Sequence, residues 1–324
     1  MSQKSAIVLG GSAGVGHAVV TALIDRGYRV GVVARGEDRL AEMRGTLGDR
    51  IATASADVGD AGALEAAVDG LIAEIGSPTV WVNNAMLTSF SPFAEVDADE
   101  FKKIVDTTLH GQANGCRLAL RHMEEGNIVN IGSGLSYRSV PFQAAYCAAK
   151  HGINGFTSAL RCELLRDKRP LTLSVVQLPA LNTPQFDWAI NRLEKKPQPA
   201  PPIFQPHVAA KAVLKAIDTD AREILVGKSV IQLVFGNFVA PDWLDKKLAK
   251  DGAEMQKSKE DEPGGRENNL MTPATHAAGA KGSFTDRAED SAFIMNADTL
   301  RYAIFGGALG AALVLGLLVG LLLG

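Results

Sequence analysis

Residues 5–20 read SAIVLGGSAGVGHAVV: a short apolar run, a glycine-rich turn, and the opening of a helical pattern. Within the turn, Gly10, Gly14 and Gly16 are spaced GxxxGxG. A loop of this kind, placed after a strand and before a helix, gives a tight turn, close backbone approach to a pyrophosphate, and helix N–H groups facing its charge. Working outward, short β-branched runs alternate with longer helical patterns as far as about residue 230. Strands are expected at Ala6–Leu9, Arg29–Ala34, Ile51–Ser55, Val80–Asn83, Asn127–Ile131, Leu171–Leu178 and Glu223–Val226. This alternation predicts an α/β domain with a doubly wound, seven-stranded parallel sheet over residues 1–250.

Later segments carry chemistry-bearing residues in a fixed order. Asp57-Val58 follows the third strand and Asn83-Asn84-Ala85 ends the fourth. Ser133 lies thirteen residues before Tyr146, with Lys150 four residues further on. Residues four apart share a helix face, so the Lys150 ammonium can lie beside the Tyr146 phenol and favour proton transfer near neutral pH. The ordered set resembles the short-chain dehydrogenase/reductase family, whose fold is the Rossmann type, over residues 5 to about 230. The resemblance implies Ser133, Tyr146 and Lys150 as catalytic residues, and Gly10, Ser12, Gly14, Val15 and Gly16 as the cofactor loop. It also implies Asp57 and Val58 beside the adenine, and Asn84 and Ala85 under the cofactor, with Met86 where the family has glycine. Pro179 and Thr183 match PGxxxT, with Ala180 replacing its glycine, and Tyr146 and Lys150 also touch the cofactor. The helix after the fourth strand departs from the family. Thr108 stands where an asparagine usually holds a water in the proton relay, and is expected to serve in its place. At the end of the second strand Ala34 is neutral and Arg35 offers a guanidinium to a 2′-phosphate, so the expected cofactor is NADP(H). No metal is called for.

The sequence also bounds partners and place. A net charge of −3 gives no chain-wide basic field, so nucleic acid is not an expected partner. The three cysteines, Cys116, Cys147 and Cys162, show no CxxC spacing and fit a reducing compartment. Met1–Ser5 lead straight into Ala6–Leu9, a run too short for a signal peptide. Residues 251–301 are polar and mixed in charge, and are expected as a flexible linker. Residues 302–324 carry no charge over 23 positions and are expected to form a transmembrane helix. Lys281, Arg287 and Arg301 precede it, which places the catalytic domain on the cytoplasmic side. The GxxxG spacings Gly306/Gly310 and Gly316/Gly320 leave room for two such helices to pack, so a homo-oligomer is compatible with the chain.

Met86, Phe90, Phe142, Phe186 and Trp188 fall on segments expected to line the substrate cleft, and imply a small hydrophobic substrate. The chemistry expected is hydride transfer between nicotinamide and a carbonyl or alcohol. The alternative is a non-catalytic NADP(H)-binding sensor or scaffold at a membrane, motivated by Thr108, Met86 and Ala180. Retention of Ser133, Tyr146 and Lys150 argues against it, because a binding module has no need of an acid with a tuned pKa.

Overall fold

The computed structural model describes residues 4–323. The central strands are β1 (Ser5–Leu9), β2 (Arg29–Ala34), β3 (Ile51–Ser55), β4 (Val80–Asn83), β5 (Gly126–Ser133), β6 (Leu171–Leu178), β7 (Glu223–Val226) and β8 (Ile294–Asn296). They lie in the order β3-β2-β1-β4-β5-β6-β7-β8. The first seven run parallel, so this is a Rossmann-like α/β sheet. β8 pairs antiparallel with β7, matching Ile294 to Val226 and Asn296 to Ile224. The sheet therefore has eight strands rather than the seven expected, and the extra strand comes from the segment expected as linker. Three residues are too few to show a period-2 pattern, which is why β8 is invisible in the sequence.

Both faces of the sheet are covered, as a parallel sheet requires. Side chains alternate across it: Ala6 and Val8 of β1 point to one apolar layer, Ile7 and Leu9 to the other. Helices α1 (Gly14–Asp25) and α2 (Glu37–Leu47) contribute to the first layer. On the second face, α3 (Ala61–Ile75) opens with Asp60 accepting from Ala63 N, and α4 (Ala98–Val105) with Asp97 accepting from Glu100 N. α4 continues through one widened turn, Asp106–His110, into α5 (Gly111–His122). α6 (Ala144–Arg166) completes this face, and α7 (Pro206–Asp218) packs on α1. Beyond β7 come α8 (Gly227–Val239) and α9 (Pro241–Lys247).

The expected linker does not separate from the domain. Lys257–Asp261 pairs with Lys195–Pro197, Ala288–Glu289 pairs with Ile203–Phe204, and Gln256, Leu270 and Ala274 are buried. Its polar composition is matched by hydrogen bonds to the domain rather than by a core of its own. The last helix, α10 (Ala297–Leu323), starts directly after β8. Its apolar stretch is exposed, and the candidate span Ala297–Leu315 is long and apolar enough to cross a membrane. Gly324 lies outside the described residues. Gly306 and Gly310 face open space, while the surroundings of Gly316 and Gly320 are outside what is described.

Candidate active site

Strand order reverses between β1 and β4, and the register brings Leu9, Asn83 and Asn130 level at the carboxyl edge. Ligands of open α/β sheets bind in the crevice formed at such a reversal. The glycine loop turns there. Gly10 has φ +78°, and a Cβ on it would stand 2.6 Å from Ala85 Cα; one on Gly16 would stand 2.0 Å from Gly10 O. Only glycine fits either position. Asn84 Nδ2 donates to Gly10 O (2.8 Å), tying the floor of the crevice to the loop. Asn83 is used inside: it accepts from Trp81 Nε1 and donates to Asn130 Oδ1.

One cleft is lined by Gly10, Ser12, Gly14, Val15, Arg35, Asp57, Val58, Asn84, Ala85 and Thr183. These are most of the residues expected to hold the cofactor. Gly16 lies behind the loop, and Pro179 follows β6. The same cleft is lined by Arg39, Met86, Thr107, Trp188 and Asn269, of which Arg39, Thr107 and Asn269 were not expected.

At the end of the cleft nearest β2 two guanidinium groups converge. Arg35 donates to the carbonyls of Leu270 (2.9 Å) and Asn269. Arg39 donates to Ala274 O (2.8 Å) and lies over the Trp188 ring, with its Nε buried and unpartnered. Burial lowers the pKa of both, and the charge of Arg35 lowers that of Arg39 further. Asp57 stands 3.8 Å from Arg35 and takes a 2.5 Å bond from Lys103. Burial raises its pKa, yet the bonds from Lys103 and Gly59 N leave it below the usual carboxylate range. The donor set is thus two desolvated cations held mainly by neutral carbonyls, with a spare N–H. That chemistry fits an anionic phosphate.

Ser133 ends β5, Tyr146 lies in the first turn of α6, and Lys150 follows one turn later. Ser133 Oγ accepts from Leu135 N (3.1 Å); burial pushes the Tyr146 phenol well above its usual pKa, against the pull of the Ser133 hydroxyl. Lys150 Nζ lies 5.5 Å from the Tyr146 ring centre and donates to Ile131 O at 2.6 Å. Burial lowers the lysine to about 7. Lys150 is therefore near the phenol, as the four-residue spacing implies.

Thr108 sits in the widened turn between α4 and α5. Its hydroxyl accepts from Leu87 N (3.0 Å) and donates to Leu87 O (3.2 Å), so it is committed to that backbone. One turn on, Gln112 Nε2 donates to Ile131 O (3.0 Å), the acceptor used by Lys150. Gln112 Oε1 is buried without a partner. Sequence spacing pointed to Thr108, which lies in the widened turn; Gln112, one turn on and beside the acceptor of Lys150, was not singled out by the sequence.

Of the apolar side chains expected at the substrate cleft, Met86 and Trp188 line the cleft already described, whereas Phe90, Phe142 and Phe186 cluster together. Phe90 and Phe186 pack with ring centres 5.6 Å apart in a cluster with Phe142, Leu193 and Phe284. Leu270 packs with Leu87, Ile104 and Ala145 against Tyr146.

Comparison with known proteins agrees with this geometry. The family model described as short chain dehydrogenase matches residues 4–191. YxnA of Bacillus subtilis, described as an uncharacterized oxidoreductase, is 26% identical over 252 residues, which is 75% of this chain and 71% of that protein. D-threitol dehydrogenase of Mycolicibacterium smegmatis is 32% identical over 229 residues, 67% of this chain and 87% of that one. The crystal structure of a short chain dehydrogenase/reductase from Burkholderia phymatum in complex with NAD has a TM-score of 0.66. It covers 76% of this chain and 95% of its own at 19% identity, a likeness of fold.

Proposed function

Because the chain belongs to the short-chain dehydrogenase family of NAD(P)-dependent oxidoreductases, we propose that it is an NADP(H)-dependent reductase or alcohol dehydrogenase acting on a hydrophobic substrate. The observation that carries this reading is the presence of Arg35 and Arg39 in the cleft at the glycine loop, together with Ser133, Tyr146 and Lys150 at the end of β5 and the start of α6. The two guanidinium groups would hold the 2′-phosphate, and the glycine loop would hold the pyrophosphate.

The nicotinamide, when bound, supplies or accepts the hydride. Tyr146, kept as a phenol by burial, donates its proton to the substrate's carbonyl oxygen, and Ser133 hydrogen-bonds that same oxygen. Lys150, poised near neutrality, returns a proton toward Tyr146. Gln112 takes the place of the family's relay asparagine: its amide anchors on Ile131 O beside Lys150, and its free Oε1 can hold the water of the relay. Thr108 acts one step away, by fixing the backbone of Leu87. The aromatic group around Phe90 and Phe186 favours an apolar substrate, and α10 anchors the protein in a membrane, with the domain on the cytoplasmic side.

The test is a screen of purified protein with NADPH against ketosteroid, quinone, retinal and acyl-ketone panels, followed by Tyr146→Phe. The variant should keep NADPH affinity and lose turnover by about 100-fold or more, the range of general acid catalysis. Turnover near wild type in Tyr146→Phe would remove Tyr146 from its role.

A further inference from the structure

Resting on the reading of α10 as a membrane anchor, we propose that the end of α8 and the start of α9 form a platform that lies in the headgroup layer of the bilayer. Phe238, Val239 and Trp243 are 75%, 77% and 60% exposed, at the corner where α10 leaves the domain. The Phe238 ring meets Phe305 of α10 edge-on, with centres 6.4 Å apart. Solvent-exposed apolar side chains in such a group mark a surface that another phase covers.

The root of α10 leaves no slack for that corner to stand off from a membrane. β8 is part of the central sheet, and Ala297, the first residue of α10, is fully buried. Arg301 donates to Glu223 (2.7 Å) and Asp298, Arg222 donates to Asp298, and Tyr137 donates to Glu223. Leu300 packs on the cluster of Leu225, Val230 and Val234. The uncharged stretch from Tyr302 spans 23 residues. That is about 34 Å of helix against a hydrocarbon core of about 30 Å, so Phe305 must lie at the near boundary of the core. Side chains that touch Phe305 then lie among the headgroups, where tryptophan and tyrosine favour their amphipathic rings. Tyr302, on the same helix, and Trp243, five residues beyond Phe238 and with Lys247 Nζ over its ring, are the exposed candidates for that layer. Between residues 227 and 252 four lysines stand against three aspartates, so apolar partition rather than attraction to anionic lipid holds the platform down.

Trp243 gives a direct readout, because Trp81 and Trp188 are buried. The full-length chain is reconstituted in phosphatidylcholine vesicles and resistance to alkaline carbonate extraction is checked first. Lipid brominated at the headgroup end of its acyl chains is then introduced. It should quench up to about a third of the emission, one tryptophan in three, and Trp243→Phe should abolish the quenching. Quenching equal in wild type and Trp243→Phe, in a chain that resists extraction, would overturn the platform and leave the anchor standing. Extraction of the wild-type chain by carbonate would overturn the anchor, and the platform with it.

Discussion

Gln112 and Lys150 share one acceptor, the carbonyl of Ile131, and this small coincidence separates two roles that the sequence runs together. Gln112→Leu keeps the bulk and removes the amide. It should lower kcat about 10- to 100-fold and alter its pH profile, while NADPH affinity stays the same, because the relay acts on the proton and not on cofactor binding. Thr108→Val should behave differently. It leaves both Leu87 backbone groups unpaired, at about 1–3 kcal/mol each, so the readout is a lower Tm with the pH profile of kcat unmoved. A Gln112→Leu enzyme with wild-type kcat, beside a Thr108→Val enzyme with an altered pH profile, would return the relay to Thr108. Arg39 shows the same limit at residue scale: in GEDRL it reads as a solvated charge on an exposed helix. Only the fold reveals that its guanidinium turns toward Trp188 and Arg35.

Leu270 is where the segment 251–301 enters the site, packed against Leu87, Ile104, Ala145 and Tyr146. Leu270→Asp puts a carboxylate among apolar neighbours, which costs several kcal/mol unless the segment lifts away. Cleavage by trypsin after Arg266 and Lys281 should rise by about tenfold or more, while the Rossmann core stays intact. Unchanged resistance would show that Leu270 does not hold the segment down. The sequence does not announce this packing. The seven parallel strands were legible because buried β-branched runs such as Val30–Val33 have a strong local signature. The segment 251–301 buries only scattered side chains and docks through hydrogen bonds from Arg35 and Arg39 to its carbonyls. Backbone carbonyls are present in any sequence, so no composition or period marks them as partners. The glycine loop, Asn84 and the Tyr146–Lys150 pair were legible for the opposite reason, since their spacing is itself the geometry.

At the scale of the whole molecule, the cleft draws on both ends of the chain: the glycine loop and Arg35 from the first units, Asn269 from the segment just before α10. The α/β domain and the apolar helix are joined through β8 with no free spacer. The charge pattern at the cleft is what the proposed NADP(H) preference rests on. Arg35 and Arg39 are desolvated and repel each other; Asp57, itself bonded to Lys103, offsets the charge of Arg35, and Glu42 and Glu267 offset part of that of Arg39. A 2′-phosphate relieves that repulsion, and a ribose hydroxyl does not. The most direct measurement is equilibrium titration of the full-length protein with NADPH and with NADH, repeated for Arg35→Ala and Arg39→Ala. Wild type should bind NADPH about tenfold or more tightly than NADH, and each substitution should weaken NADPH by a similar factor while leaving NADH unchanged. Equal affinity of the wild-type protein for the two cofactors would contradict the account.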